Sequence, residues 1–447
     1  MGKKSQLEAT VREVIERCEE FLERWKIAPH TLDMEACCDQ FMGEMERGLA
    51  SKEGSSLKMI PTYTKADNII TPGEKVIVLD AGGTNFRTCL ISFNEKMEVI
   101  IESFSKRGMP GVKSEVSAKE FFSILADQVE PLIEESDRIG FCFSYAAEIN
   151  EELDGVPIVF SKEIKAPEVI GMPVGRSLLD ELGRRGYNVA KKRVAVVNDT
   201  VATLLAGKVA TGVSPYSDYI GFILGTGTNT AYVEKNSNIV KLGNLPAGSQ
   251  IINVESGGFY LVPGGLDRRF MDTTKNPDNY HFEKMISGAY LGAFSHVVVE
   301  QAIEEGLLSK EFKTRFEQIA PLNTTRMSHY LEEPHNPNYD LVKCITNEED
   351  ATALYIILDA IIARAAKLTA VNISAALLKG EGGRNPRYPV CVNADGTTFY
   401  KTENLALYTK YYLREFLDQK HHRYVQFVQI EDSPTIGAAV AGLSLTL

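Results

Sequence analysis

The sequence predicts an α/β protein of more than one domain, with a cleft between domains available as a binding site. Three observations carry this reading. Strand-like and helix-like segments alternate along the chain. At 447 residues the chain is too long for one ordinary hydrophobic core. Two glycine turns of one plan, "LDAGGTNFR" (79–87) and "ILGTGTNTAYVE" (223–234), each close a pair of strand-like runs, with Thr84-Asn85 and Thr228-Asn229 144 residues apart. Such a recurrence points to two related halves.

Composition narrows the partners. Apolar residues make up 44% and charged residues 24%, the balance of a folded soluble protein. Charges run through the first thirty residues, so these do not read as a secretory signal, and no 18-residue apolar run exists to span a membrane. A cytoplasmic setting without a membrane partner is expected. The net charge of −12 argues against a nucleic-acid face, and any anionic ligand must be held by local groups. Seven cysteines (18, 37, 38, 89, 142, 344 and 391) lack metal-binding spacing and read as reduced thiols, several of them buried. No oligomeric state follows from the sequence.

In chain order, segment 4–26 places Leu7, Val11, Val14, Ile15, Cys18, Phe21, Leu22 and Trp25 at helical spacing, which predicts an amphipathic helix. "KVIVLDAGGTNFRTCLISF" (75–93) is a β-run, a glycine turn and a second β-run. A P-loop would need a lysine and then a helix, and a dinucleotide fingerprint would need a helix after its glycines, so both fail. What remains is either a plain hairpin or one whose backbone N–H groups and Thr84 hydroxyl donate to phosphate oxygens; the second such turn favours the phosphate reading. Asp80 beside it is placed to orient Mg²⁺ through water, and Arg87 to hold a phosphate with its fork of donors.

"RVAVVNDTVATLLAG" (193–207) is an apolar strand that ends in Asn198-Asp199-Thr200 and runs into a helix-like stretch. Asp199 is then either an N-cap or a carboxylate facing the crevice at a strand's C-terminal end, able to take a proton from a substrate hydroxyl. "DYIGFILGTGTNTAYVE" (218–234) repeats the plan of the first hairpin.

Taken together, the motifs resemble those of the hexokinase family, in the family's order and over most of the chain. "MIPTYT" (59–64) resembles the segment entering its small domain, and "LDAGGTNFR" and "ILGTGTNTAYVE" its two phosphate motifs. "FCFSYAAEI" (141–149), "FSKEIKA" (160–166), "INVESGGF" (252–259) and "NPDNYHFEKMISGAYLG" (276–292) resemble its sugar-binding stretches, and "VNDTVATL" the segment holding its catalytic aspartate.

The resemblance implies an actin-like ATPase (ribonuclease H-like) fold, with 59–200 plus 433–447 as small domain and 1–58 plus 201–432 as large domain. It implies an ATP-dependent hexose 6-phosphotransferase using Mg²⁺. Asp199 becomes the general base, and Lys162 a partner of the sugar and of charge on the transferred phosphoryl group. Ser144, Ser161, Asn198, Asn229, Glu255 and Glu283 become hydrogen-bonding partners of the sugar hydroxyls. Asp80, Gly82, Gly83, Thr84, Asn85, Arg87, Gly225 and Thr226 surround the phosphates and the magnesium, with Gly396 and Thr397 of "VNADGTTFY" (392–400) at the nucleotide end.

Departures from the family pattern fall at Ser161, where threonine is usual, at Phe160 and Ser256, where tryptophan is frequent, and at Ala146, where proline is common. They bear on which hexose is preferred. "TTRMSHYL" (324–331) and "EDSPTIGAA" (431–439) follow the pattern loosely and leave the phosphoryl donor the least constrained part of the reading. A sugar sensor without turnover and an actin-type filament ATPase share the fold signal. Intact Asp199 and Lys162 speak against the first, and the sugar-facing segments have no purpose in the second. A zinc-bearing sugar kinase would need a cysteine cluster that the chain lacks.

Overall fold

A computed structural model describes residues 3–65, 70–160, 164–210 and 216–445, with the side chains of 3–10 and 210 left aside. The apolar run before the first glycine turn becomes β2 (Val76–Gly82), buried along its length up to Ala81. A strand apolar on both faces belongs at a sheet's centre. β3 (Asn85–Phe93) pairs with it antiparallel on one side and β5 (Arg138–Phe143) parallel on the other. β4 (Val99–Gly108) and β8 (Arg193–Val197) extend the two flanks, giving the order β4-β3-β2-β5-β8. β1 (Ile60–Pro61) lies elsewhere, and β6 (Ala147–Ile149) and β7 (Gly155–Pro157) form a separate small hairpin.

The second sheet repeats this order. β9 (Asp218–Leu224) pairs antiparallel with β10 (Thr228–Lys235) and parallel with β12 (Val390–Asp395). β11 (Ser249–Asn253) and β13 (Val425–Val428) extend the flanks, and β1 adds an edge beyond β11. In each sheet a hairpin is followed by a third antiparallel strand, and two parallel strands lie on the other side. The relation between halves hinted at by two short turns is thus written in the strand order. Residues 60–61, placed with the small domain in the sequence reading, pair here with β11 of the second sheet.

Two helices lie between the sheets and exchange sides. α5 is the fifth α-helix of the chain, after α1 (Lys3–Arg24), α2 (Met34–Ala50), α3 (Ala118–Val129) and α4 (Val174–Arg184), and spans Asp199–Ala210. It follows β8 of the first sheet yet packs on β9, β10 and β12 of the second. The helix Ser433–Leu443 follows β13 of the second sheet yet packs on β2, β5 and β8 of the first, and the two helices pack on each other. Glycine makes this contact close. A Cβ at Gly437 would sit 1.8 Å from the Ala202 carbonyl oxygen, and one at Gly140 of β5 would sit 1.9 Å from that of Ala438.

The larger core lies on the outer face of the second sheet, where α1 and α2 pack on the long helix Glu348–Lys379. The predicted helix at 4–26 is α1. Asp33 caps α2, its Oδ1 accepting from the N–H groups of Glu35 and Ala36 at 3.0 and 3.1 Å. A buried ion pair joins the long helix to Asp267, with Arg364 bidentate at 2.7 and 3.0 Å. All seven cysteines are free and buried. Among the described residues no helix is long and apolar enough to cross a membrane.

Candidate active site

The first turn is a hairpin of two residues. Gly82 pairs with Asn85, and the chain reverses through Gly83 and Thr84, with Gly83 at φ +59°. The Gly83 carbonyl accepts from the Tyr145 hydroxyl at 2.8 Å, and the Thr84 carbonyl from the Met109 N–H at 2.9 Å, so both carbonyls are tied down. Thr84 itself is exposed. A Cβ at Gly83 would meet nothing within 4 Å, whereas one at Gly82 would lie 3.3 Å from Asp80 Oδ1 and 3.6 Å from Ser144 Oγ.

Asp80 is 4% exposed and faces Arg87 across the hairpin register. Its Oδ2 accepts from Arg87 at 2.8 Å and from the Thr435 hydroxyl, on the helix Ser433–Leu443, at 3.3 Å. Burial raises this carboxyl above the ordinary aspartate range, Arg87 counters that, and the charge of Asp199 adds to it. The sequence reading gave Arg87 to a phosphate. In the structure its Nη1 is committed to Asp80, because the two residues stand directly opposite on paired strands and the buried carboxylate needs a counter-charge.

The second turn, Gly225-Thr226-Gly227, is held from behind. The Gly225 carbonyl accepts from the Gly288 N–H at 2.9 Å and the Thr398 hydroxyl at 2.8 Å, and the Thr226 carbonyl accepts from the Ala289 N–H at 3.2 Å. Thr226 is exposed at the tip. Glu283, expected among the sugar partners, also braces this turn, its Oε2 accepting from the Thr228 N–H at 3.1 Å. Gly396 has φ +115°, and a Cβ there would lie 2.2 Å from the Leu224 carbonyl oxygen. It therefore seats the end of β12 against the second turn, with exposed Thr397 opening the next helix.

Asn198 and Asp199 stand where β8 gives way to α5. Asn198 is the cap, its Oδ1 accepting from the Thr200 N–H at 2.9 Å, so capping does not fall to Asp199. Asp199 is the first helical residue, half-buried, and its two bonds, from the Thr200 N–H at 2.8 Å and hydroxyl at 3.3 Å, both fall on Oδ1. From Asn198 a line of polar side chains runs across the second sheet. Asn229 Nδ2 donates to Asn253 Oδ1 at 2.7 Å and reaches Asn198 Oδ1 and Glu255 Oε1 at 3.4 Å each. Asn253 Nδ2 donates to Glu255 Oε1 at 2.9 Å. Behind this line Thr230, Ser256 and Asn372 bond to one another and fasten it to the long helix.

Glu255 sits in the left-handed region at φ +56°, and burial raises its carboxyl above the ordinary glutamate range, an effect that Asn253 opposes and the charges of Asp199 and Glu283 increase. Ser144 follows β5, and its N–H donates to the Ala81 carbonyl beside the first turn. Phe160 packs against Tyr145, Phe143 and Phe121. Ser161 and Lys162 lie outside the described residues.

Two residues belong to this constellation that the sequence reading did not single out. Asn253 is 3% exposed and central to the amide line. Asp395 ends β12, its carboxyl raised by burial and by Asp199 and Asp432 and lowered by Arg87. The signal for Asp395 was present, an apolar strand that reaches an aspartate just ahead of a glycine turn, as "LDAGG" does.

Two family models, both described as hexokinase, match residues 17–209 and 219–444, meeting between α5 and β9. The chain belongs to the hexokinase family. Its reaction is the transfer of a phosphoryl group from ATP to a hexose. The chain is 29% identical over 439 residues to Hexokinase-1 of Nicotiana tabacum, covering 91% of this chain and 86% of that protein. It is 28% identical to the hexokinase of Schistosoma mansoni, covering 87% and 88%. Against Hexokinase-3 of Mus musculus it is 30% identical over 93% of this chain, which spans 46% of that longer protein. Among solved structures, the Schistosoma mansoni hexokinase complexed with glucose superposes with a TM-score of 0.74 at 24% identity, covering 97% of this chain and all of that one. The fold is shared with that enzyme.

Proposed function

We propose that the chain phosphorylates the 6-hydroxyl of a hexose such as glucose, with Asp199 as general base. The observation that carries this is the line Asn198–Asn229–Asn253–Glu255 leading away from Asp199. It is a partly buried set of amides and a carboxylate of the kind that pairs with sugar hydroxyls, ending at one carboxylate beside a helix start. Ser144, Ser161, Lys162 and Glu283 complete the sugar's partners in this reading. The turns at 82–85 and 225–226, with Gly396 and Thr397, hold the triphosphate.

Magnesium fits as a companion of the nucleotide. Among the described residues no three His, Cys, Asp or Glu side chains gather to cage a metal. Asp80 keeps Oδ1 beside the glycine turn while Oδ2 is bound by Arg87 and Thr435, which suits an ion held by phosphates and water. Bound there, it would neutralise phosphate charge in a cleft lined by Asp80, Asp199 and Asp395. The free, buried thiols support a reducing, cytoplasmic setting.

The test is Asp199→Ala. Turnover, followed as ADP release, is expected to fall about a hundredfold to ten-thousandfold while calorimetric glucose binding persists. Near wild-type turnover would remove Asp199 from the role and leave the family assignment intact.

A further inference from the structure

Beyond Glu255 the amide line opens into a pocket of about 310 Å³, lined in part by Lys58, Glu255, Tyr260, Asn279, Tyr280 and His281. That volume is at the small end of pockets that hold whole ligands. Asn229 reaches Asn198 on one side and Glu255 on the other, so Glu255 lies across the amide line from Asp199. A hexose with its 6-hydroxyl at Asp199 then turns the opposite end of its ring, C1 and C2, toward Glu255 and the pocket.

One lining group has polar atoms that the fold leaves unpaired. His281 is 4% exposed, and both of its ring nitrogens are buried without a hydrogen-bond partner. A buried polar group left unpaired costs about 1 to 3 kcal/mol, so the imidazole weakens the fold unless something else engages it. The ring is covered by Tyr260, with centroids 5.0 Å apart, and Tyr260 is 47% exposed, so a rotation of that one side chain about its held backbone would open the imidazole to the pocket. Tyr280, 44% exposed, offers a second aromatic surface at the mouth.

We propose that this pocket is a subsite for an acylamino group on C2 of the hexose, so that the chain takes 2-acylamino-hexoses as phosphoryl acceptors. The inference rests on the sugar site proposed above. A neutral imidazole presents one donor and one acceptor, and a secondary amide presents one carbonyl acceptor and one N–H donor, which is the matching pair. The acyl methyl packs on the tyrosine rings. The transfer itself is unchanged. A bond forms between O6 and the γ-phosphorus, the bond from that phosphorus to the β–γ bridging oxygen breaks, the O6 proton passes to Asp199, and ADP leaves.

The experiment compares N-acetylglucosamine and glucose as acceptors on the full chain, by ADP release, with wild type, His281→Phe and His281→Gln. The expected result is phosphorylation of both sugars by wild type. In His281→Phe the KM for N-acetylglucosamine should rise about tenfold or more while glucose kinetics stay within about twofold. His281→Gln keeps a donor and an acceptor and should restore most of the loss. The melting temperature of His281→Phe should hold or rise, since an unpaired polar group is removed. Tyr260→Ala, at an exposed position, repeats the comparison should the core variant fail to fold, and should also weaken N-acetylglucosamine alone. Glucose turnover without phosphorylation of N-acetylglucosamine, whether or not that sugar competes with glucose, would overturn the proposal and spare the sugar site. Equal loss for both sugars in the variants would overturn it too, and no turnover of any hexose would overturn the underlying reading.

Discussion

Asn229 spans the proposed sugar site, with its amide nitrogen on Asn253, Asn198 and Glu255 and its oxygen accepting from the N–H groups of Thr230 at 2.7 Å and Ser256 at 3.3 Å. Asn229→Ala should weaken glucose binding by about 1 to 3 kcal/mol, because the sugar hydroxyl and the neighbouring polar groups lose a partner in a desolvated place. Calorimetry reads this directly, and a variant binding like the parent would displace the sugar site from this line. Glu255 adds a pH dependence. Its folded-state pKa is raised, chiefly by burial, so as pH falls the native carboxyl takes up a proton before an ordinary glutamate, near 4.3, would. Glucose affinity should therefore drop at a pH above that range, while this group's contribution to stability grows, since the native state then binds more protons than the unfolded one. Glu255→Gln should remove the acid limb from a titration of affinity against pH. Residue chemistry was partly legible in the sequence. Asp199 and Glu255 stand in motifs with local punctuation, but Asn253 is one more polar residue at the end of β11, and only its side-chain partners Asn229 and Glu255 mark it.

The glycine turn at 82–85 is an element whose two glycines have different reasons. Gly82 is crowded by Asp80 and Ser144, whereas Gly83 has open space and needs glycine for its positive φ. The sequence reading treated both as sites of close approach. Sterics of the turn's own neighbours support that for Gly82 alone, and the open space beyond Gly83 is where a phosphate would lie. Gly83→Val should cost about 1 to 3 kcal/mol of stability through backbone strain. It should depress ATP-dependent turnover per folded molecule at least about tenfold by filling that space, a loss on the scale of one transition-state interaction. Glucose binding without nucleotide should survive. Melting temperature, glucose affinity and turnover corrected for folded fraction, taken on one preparation, separate these effects, and normal turnover would make the turn a plain hairpin. Elements of this kind read well from sequence because turn chemistry is local. The pairing of Arg87 Nη1 with Asp80 did not read from the sequence, since it follows from the register across the hairpin.

At the scale of the whole molecule the two sheets are joined through α5 and the helix Ser433–Leu443, and their ends reach the proposed site. Asp199 opens one, and Thr435 of the other bonds Asp80. Gly437→Val would drive a side chain into the Ala202 backbone, so the helices must separate, shifting both ends at once. We expect a loss of stability of about 3 kcal/mol or more by denaturant unfolding, as for other overpacked cores, and a fall in kcat in the fraction that remains folded. A change in stability with unaltered kcat would show that the helix pair does not set the position of Asp199. The repeat of strand order was foreshadowed by two matching turns. The exchange of helices was not, because the contacts of the helix Ser433–Leu443 with the first sheet, more than two hundred positions away, leave no local pattern beyond the small residues of "IGAAVAG".

That exchange also sets an order of events during synthesis. The helix that covers the first sheet, Ser433–Leu443, is made long after β2 to β8, which are complete by residue 197. Until residue 443 clears the ribosome, the face of β2 and β5 that receives Ile436, Ala439 and Val440 stays open to water. The stretch of message for β2 to β8 therefore encodes a sheet that a much later stretch must close, and a nascent chain stalled before residue 433 is an unfinished domain rather than a folded half.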